Sequence, residues 1–155
     1  MADYGVRYWL DDIARLWGEI EDDAHHKVIS YLTKDIPESV NQVPCVLTFL
    51  DGDVDGGSPS LGSSNAVTYQ GKSEFHLTSS LIKNQMPYVM SFVDKILAKA
   101  AANMTLGGKV VSFRLASPGA IKFVRLTWGN ENEHYGLQVN WQVIENHTNK
   151  YPVSP

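Results

Sequence analysis

The apolar positions of the first twenty residues recur at intervals of three and four. That period places them on one face of an α-helix. Acidic residues from Glu19 onwards indicate where the helix ends, because the macrodipole disfavours acids at a helix C-terminus. The same period returns after Pro87, a residue that suits a first helical turn. The apolar stripes of these two predicted helices are Val6, Leu10, Ile13, Trp17 and Ile20 in the first, and Val89, Phe92, Val93, Ile96, Leu97 and Ala100 in the second.

Between and after the helices the pattern changes to the period of two that is typical of half-buried β-strands. Alternation is clearest over residues 67–78 and in the last strand, "HYGLQVNWQVIE". Four shorter apolar runs, "KVISYL", "VPCVLTFL", "KVVSFRLA" and "AIKFVRLTW", predict the other strands. The turn signals "SPGA" and "GNENE" join the last three strands. We therefore predict that these three strands form an antiparallel meander.

The predicted element order is α-β-β-β-α-β-β-β, which lacks the alternating rhythm of a parallel βαβ sheet. We predict an α+β fold with a mixed, mostly antiparallel sheet, on which the N-terminal helix and the central helix pack. A single domain is expected over residues 1–146, followed by a C-terminal tail over residues 147–155. The predicted core consists of Leu10, Ile13, Trp17, Phe92, Val93, Ile96, Leu137, Val139 and Trp141.

Charge and composition narrow the classes of partner. The chain has 155 residues and a formal net charge of −4, and its basic residues are scattered. The sequence therefore indicates neither a grip on nucleic-acid phosphates nor an anionic-membrane partner. No apolar run approaches the roughly 18 residues of a membrane span. The single cysteine, Cys45, lies in an apolar run and is predicted to be a small core residue. We expect no cofactor.

The stretch "FLDGDVDGGSPSLGSSN" sets an aspartate triplet, Asp51, Asp53 and Asp55, at alternate positions and follows it with Gly56. This spacing matches the first half of an EF-hand calcium loop. The twelfth position, where a bidentate glutamate should complete the coordination, is Gly62, and the flanks are predicted strands instead of helices. We therefore predict an acidic hairpin loop without a functional metal site. A weak or incidental cation site remains the alternative.

Other chemical motifs are weaker. The run "AVTYQGKS" lacks the first glycine of a phosphate-binding P-loop and lies inside a predicted strand. In "EDDAHHK" the acids lie beside His25 and His26, but neighbouring side chains point in different directions, which argues against a metal site. His76 and His134 fall within or next to predicted strands, with no nucleophile motif nearby, and are predicted to be structural. We predict that the protein is not an enzyme.

Several motifs, taken in order, resemble the tail-terminator family of long-tailed bacteriophages, also called tail-completion proteins. After the N-terminal amphipathic helix come the "Y-x-x-x-x-I-P-E-S-V-x-x-x-P" run from Tyr31 to Pro44, then "MPYVMSFVD", "TLGGKV" and "HYGLQVNWQV". The resemblance runs roughly from Val28 to Glu145. The long Asp/Gly/Ser stretch after Phe49 departs from the family pattern.

This resemblance implies a structural virion protein at the head-proximal end of the tail, present in the host cytoplasm during assembly. Such a protein forms a homo-oligomeric ring, a hexamer, on the last ring of tail tube protein and stops tube polymerisation. It also presents a surface to the neck or head-completion protein, and genomic DNA passes through the ring without specific binding. Under this hypothesis the aspartate triplet faces the lumen or a neighbouring ring, where repulsion between copies opposes ring closure at low salt. The alternatives are a neck or head-closure protein and, from a different class, a metal-dependent hydrolase.

Overall fold

In the computed structural model, which describes residues 5–56, 66–79, 82–129 and 133–146, two α-helices accompany a single six-stranded sheet. The predicted α+β fold and element order are confirmed. The predicted tail, residues 147–155, lies outside the described residues. The elements are α1 (Val6–Trp17), β1 (Ile29–Tyr31), a short 3-10 helix (Thr33–Asp35), β2 (Cys45–Gly56), β3 (Ala66–Thr78), α2 (Ile82–Ala102), β4 (Ser112–Leu115), β5 (Ile121–Thr127) and β6 (Glu133–Asn146).

The sheet is built around the two longest strands. β3 and β6 pair in antiparallel fashion along almost their whole length, from Ala66 opposite Asn146 to Thr78 opposite Tyr135. β2 lies antiparallel to β3, and β1 adds a short parallel stretch to β2. β4 and β5 lie on the far side of β6. Long alternating strands therefore occupy the centre, and short or interrupted ones occupy the edges.

The predicted antiparallel meander of the last three strands is confirmed for β5 and β6 but wrong for β4, which pairs with β6 and not with β5. β4 and β5 both pair with β6, one after the other along the same side, with Leu115 opposite Trp141 and Ile121 opposite Val139. The "SPGA" turn signal lies between β4 and β5, where this edge of the sheet is interrupted. There the backbone carbonyl of Asn140 accepts from Ala116 N–H (2.8 Å), and its backbone N–H donates to Ala120 O (2.7 Å). Turn residues specify a local bend, while the partner strand depends on the length of β6, which accommodates both segments.

Both helices cover one face of the sheet, here called the helix face. Trp9, Trp17 and Trp141 lie within contact distance of other aromatic rings in this layer. Eight of the nine predicted core residues are buried, and the ninth, Val93, packs against the core from a half-buried position. The eight are Leu10, Ile13, Trp17, Phe92, Ile96, Leu137, Val139 and Trp141.

The opposite face of the sheet, here called the open face, is covered only in part. Residues 32–44 cross one end, where Trp128 Nε1 donates to Pro37 O (2.8 Å) and a small apolar cluster forms around Val40, Cys45 and Leu47. Burial raises the pKa of the Cys45 thiol to about 12, in keeping with a core role. The rest of the face carries half-exposed polar side chains, namely Thr68, Gln70, Lys72, Gln138, Asn140 and Gln142.

Candidate functional site

The aspartate triplet lies in a strand. β2 continues through Gly56, with Asp55 opposite Thr68, so the predicted loop is wrong for residues 51–56. The register shifts between Leu50 and Val54, where Gly52 has a φ of +106°. β3 pairs with β6 on one side, and on the other side it provides a long row of backbone hydrogen-bonding partners for β2. The aspartates do not prevent this pairing, because polar side chains of an edge strand can point into solvent. The rest of the predicted loop, residues 57–65, lies outside the described residues.

Beyond Leu47, β2 forms an edge of the described sheet. β1 pairs only with Cys45–Leu47, so Thr48–Gly56 has a strand neighbour on the β3 side alone. We call Thr48–Gly56 the acidic edge. Two of its apolar side chains are exposed, Leu50 at 38% and Val54 at 53%. Unpaired strand edges are sites at which another chain can associate.

The charge of the acidic edge is partly balanced from the neighbouring strand. Lys72 Nζ on β3 lies 3.2 Å from Asp51 Oδ2. Because Lys72 is more than fifteen residues from Asp51 in the sequence, only the ladder between β2 and β3 reveals the pair. The local sequence indicated three carboxylates without a counter-charge, but in the structure Lys72 partly balances one of them.

Neither candidate metal cluster forms a ligand set within the described part of the chain. There, no group of three or more His, Cys, Asp or Glu side chains is arranged to hold a metal ion. The position expected to complete an EF-hand, Gly62, falls outside it. A calcium site of the EF-hand type requires the ligands of both halves of the loop to converge.

The histidine-containing turn after α1 is organised by one buried carboxylate. Asp22 accepts from two backbone N–H groups of the turn, at 2.8 and 2.9 Å, and from Tyr88 OH on α2, at 3.3 Å. Burial disfavours its charged form, but the backbone N–H groups of His26 and Ala24 and the His26 side chain outweigh that effect and lower the pKa of Asp22. His25 lies apart, 3.3 Å from Glu21. The carboxylate thus closes the turn and joins it to α2.

A buried histidine pair lies on the open face, where the sequence indicated two separate residues. His76 Nδ1 lies 3.2 Å from His134 Nδ1, and His76 Nε2 lies 3.4 Å from Glu74 Oε1. A contact between two ring nitrogens needs one N–H donor and one lone pair, so the pair shares a single proton there. Burial and the neighbouring His76 lower the pKa of His134. Only the register, with His76 opposite Gly136, brings the two together.

A second polar group that the sequence did not reveal lies inside the core. Ser73 Oγ accepts from Trp17 Nε1 (2.9 Å) and Trp141 Nε1 (3.0 Å), and it lies 3.0 Å from Thr48 Oγ1. With both indoles donating to it, Ser73 donates its own proton to Thr48. Trp141 packs directly over Gly71, where an added Cβ would lie 2.0 Å from its ring. These contacts fix α1 to the centre of the sheet.

A shallow apolar groove lies at the other edge of the sheet, between α2 and β4. Its cavity measures about 220 Å³. Two of its side chains are exposed, Leu97 at 45% and Met104 at 57%. Phe113 N–H donates to Met104 O at 2.6 Å, so the turn after α2 covers part of the outer edge of β4. We call this the α2–β4 groove, lined by Leu97, Ala100, Ala101, Met104, Phe113, Arg114 and Leu115.

Comparisons with protein-family models, with curated proteins and with solved structures found no match for this chain. Among the helices that the structure describes, none is long and apolar enough to cross a membrane.

Proposed function

We propose that this protein is a tail terminator of a long-tailed bacteriophage, which forms a ring on the end of the tail tube, stops tube polymerisation and provides the surface for joining to the head or neck. The ring is a hexamer of this chain, its partners are the tail tube protein and the neck or head-completion protein, and it acts without catalysis. DNA passes through it without specific binding.

The motifs that carry the resemblance support this proposal through their positions. "MPYVMSFVD" belongs to α2, and "HYGLQVNWQV" forms most of the central strand β6. "TLGGKV" makes the reversal from α2 towards β4, where Gly107 and Gly108 have φ of +70° and +86°. Such positive φ values favour glycine. The resemblance therefore concerns elements that pack together in one sheet and one covering helix.

The observation that carries the proposal is the pair of edges of the sheet. The acidic edge lies on one side, and β4 and β5 lie on the other, each with β6 as its strand neighbour in the described sheet. Two different edges on one molecule permit head-to-tail contacts, and head-to-tail contacts close into rings when the rotation between copies allows it. A ring-forming virion protein needs a pair of surfaces of this kind.

The test uses tail tubes assembled from the tube protein of the same phage. We expect negative-stain electron microscopy to show the purified chain as a ring at one tube end, and added tube protein to fail to extend tubes that carry it. Tubes incubated without the chain should continue to grow. Binding to the portal assembly instead of the tube would favour the neck or head-closure alternative. A stoichiometric metal that survives dialysis, together with hydrolytic activity, would favour the hydrolase.

A further inference from the structure

We propose that copies of this chain join head to tail, with the acidic edge of one copy against the α2–β4 groove and Arg114 of the next. The inference rests on the proposed ring-forming function and adds to it the contact between neighbouring subunits. Its partner is a second copy of the same chain, and its argument comes from the position, polarity and charge of the two surfaces.

The two surfaces cannot meet within one molecule. β3 and β6 separate β2 from β4, so the edges lie three strand spacings apart, or about 14 Å at roughly 4.8 Å per spacing. Any contact between them is therefore between copies. Because the surfaces differ, each copy uses one towards each neighbour, which produces a continuing chain of subunits that can close.

The two surfaces lie at the same height along the strands. Asp55 on β2 is aligned, through Thr68 and Ile144, with Ser112 at the start of β4. In the same way, the row that begins at Leu50 ends at Leu115. Residues 50–55 and 112–115 thus occupy the same rows of the sheet, so that a neighbouring copy placed beside it needs no large shift along the strands.

On the open face the two surfaces carry opposite charges. Asp55 lies opposite Thr68, and Arg114 lies opposite Gln142, which places both side chains on this face. Both residues are exposed. Asp51 adds a second carboxylate to the acidic edge, beside its partner Lys72. An acidic surface that meets a basic side chain gives attraction and orients the contact.

On the helix face the two surfaces are apolar. Val54 and Leu50 lie opposite Tyr69 and Gly71, two residues of the helix face, and both are exposed. The apolar residues of the α2–β4 groove lie on the same face, because α2 covers it, and they include exposed Leu97 and Met104. Apolar side chains therefore meet an apolar groove on one face while opposite charges meet on the other. This agreement on both faces identifies the second copy as the occupant.

A charge exchange tests the contact without tail tubes. Asp55→Arg and Arg114→Glu should each weaken self-association at least about tenfold in sedimentation at low salt, because each creates a pair of like charges at the contact. The double variant Asp55→Arg/Arg114→Glu should regain association close to that of wild type, since it restores opposite charges with the sign exchanged. Matched controls are Glu38→Arg and Lys34→Glu, exposed charges outside both surfaces, which should behave as wild type.

Disulfide crosslinking between introduced cysteines provides a second measurement that does not depend on charge. The variant Val54→Cys/Leu97→Cys should form disulfide-linked oligomers larger than dimers, whereas each single-cysteine variant should not. The native Cys45 is buried and should not take part. Three results would overturn the contact. The first is equal association by wild type and both single charge variants, and the second is a double charge variant as weak as the singles. The third is a wild type that stays monomeric together with a double-cysteine variant that forms no disulfide-linked oligomers larger than dimers.

Salt distinguishes this contact from repulsion in a ring lumen. Attraction between the acidic edge and Arg114 weakens as salt screens it, whereas repulsion between triplets in a lumen would make association stronger with salt. These results stay separate from the tube test. If the chain caps tail tubes but the double charge variant does not regain association, the proposed function stands and the proposed contact is wrong. If the double charge variant regains association but the chain does not cap tubes, the contact stands and the proposed function is wrong.

Discussion

Ser73→Ala is the sharpest test of how the helices are fixed to the sheet. The substitution removes one hydroxyl from the centre of the core and leaves the indole N–H groups of Trp17 and Trp141 without their acceptor. Both rings are fully buried, at 0% exposure, so water cannot replace the hydroxyl without a rearrangement. The change in side-chain volume is small, and the effect therefore reports hydrogen bonding more than packing.

The expected cost follows from these two donors. A buried donor left unsatisfied costs about 1–3 kcal/mol, so Ser73→Ala should lower the free energy of unfolding by about 2–6 kcal/mol. This is a large part of the roughly 5–15 kcal/mol by which domains are stable. Thr48→Val is the matched control. It leaves a single buried donor, the Ser73 hydroxyl, without its acceptor, so it should cost about 1–3 kcal/mol and less than Ser73→Ala.

The assay is urea unfolding of both variants, followed by tryptophan fluorescence and by far-UV circular dichroism. Coincident transitions by the two probes would support two-state unfolding, on which the comparison depends. A cost below about 1 kcal/mol for Ser73→Ala, or an equal cost for both variants, would refute the assignment of Ser73 as the shared acceptor of the two indoles.

Four further predictions follow from the structure. Trp141→Ala should cost about 3–5 kcal/mol in urea unfolding; a loss under about 1 kcal/mol would contradict its burial. Gly71→Ala should cost at least about 1–3 kcal/mol in the same assay, because its Cβ would lie 2.0 Å from the Trp141 ring; a neutral result would show that the ring moves freely. Asparagine at all three positions of the aspartate triplet should leave calorimetric melting independent of calcium, as in wild type; a calcium-induced rise that the variant loses would reveal a site. The pKa of His134 lies below 6.5 in the folded chain, so the unfolded chain takes up this proton first and stability should fall as pH drops below about 6.5. His134→Gln should reduce this dependence of stability on pH, measured by denaturation at a series of pH values. An unchanged dependence would assign it to other groups.

Patterns of burial were predictable from the sequence because they are local. The three- and four-residue period of Leu10, Ile13 and Trp17 predicts which face of α1 is buried, and the alternation of Leu137, Val139 and Trp141 does the same for β6. In both cases the covalent geometry of the element fixes where successive side chains point. The α+β order of elements follows from the same patterns, and so does most of the core.

The partners of each element were decided by the tertiary structure. Alternation shows that β4, β5 and β6 are strands, but not that the first two share one side of the third, because pairing depends on the lengths and rows of segments far apart in sequence. β2 extends into the aspartates because β3 offers it a ladder, against the local preference of Asp and Gly for loops.

The polar contacts depended on tertiary structure for the same reason. His76 and His134 are 58 residues apart, and Ser73 and Trp141 are 68 apart. Each residue taken alone is typical of a satisfied structural side chain, and only the register between β3 and β6 makes the first two a pair. The same rows align Asp55 with Ser112 on β4, the strand that also carries Arg114, so the surfaces proposed to join neighbouring copies exist only once the sheet has formed. The sequence by itself determined the elements and their buried faces, whereas long-range pairing decided which side chains meet.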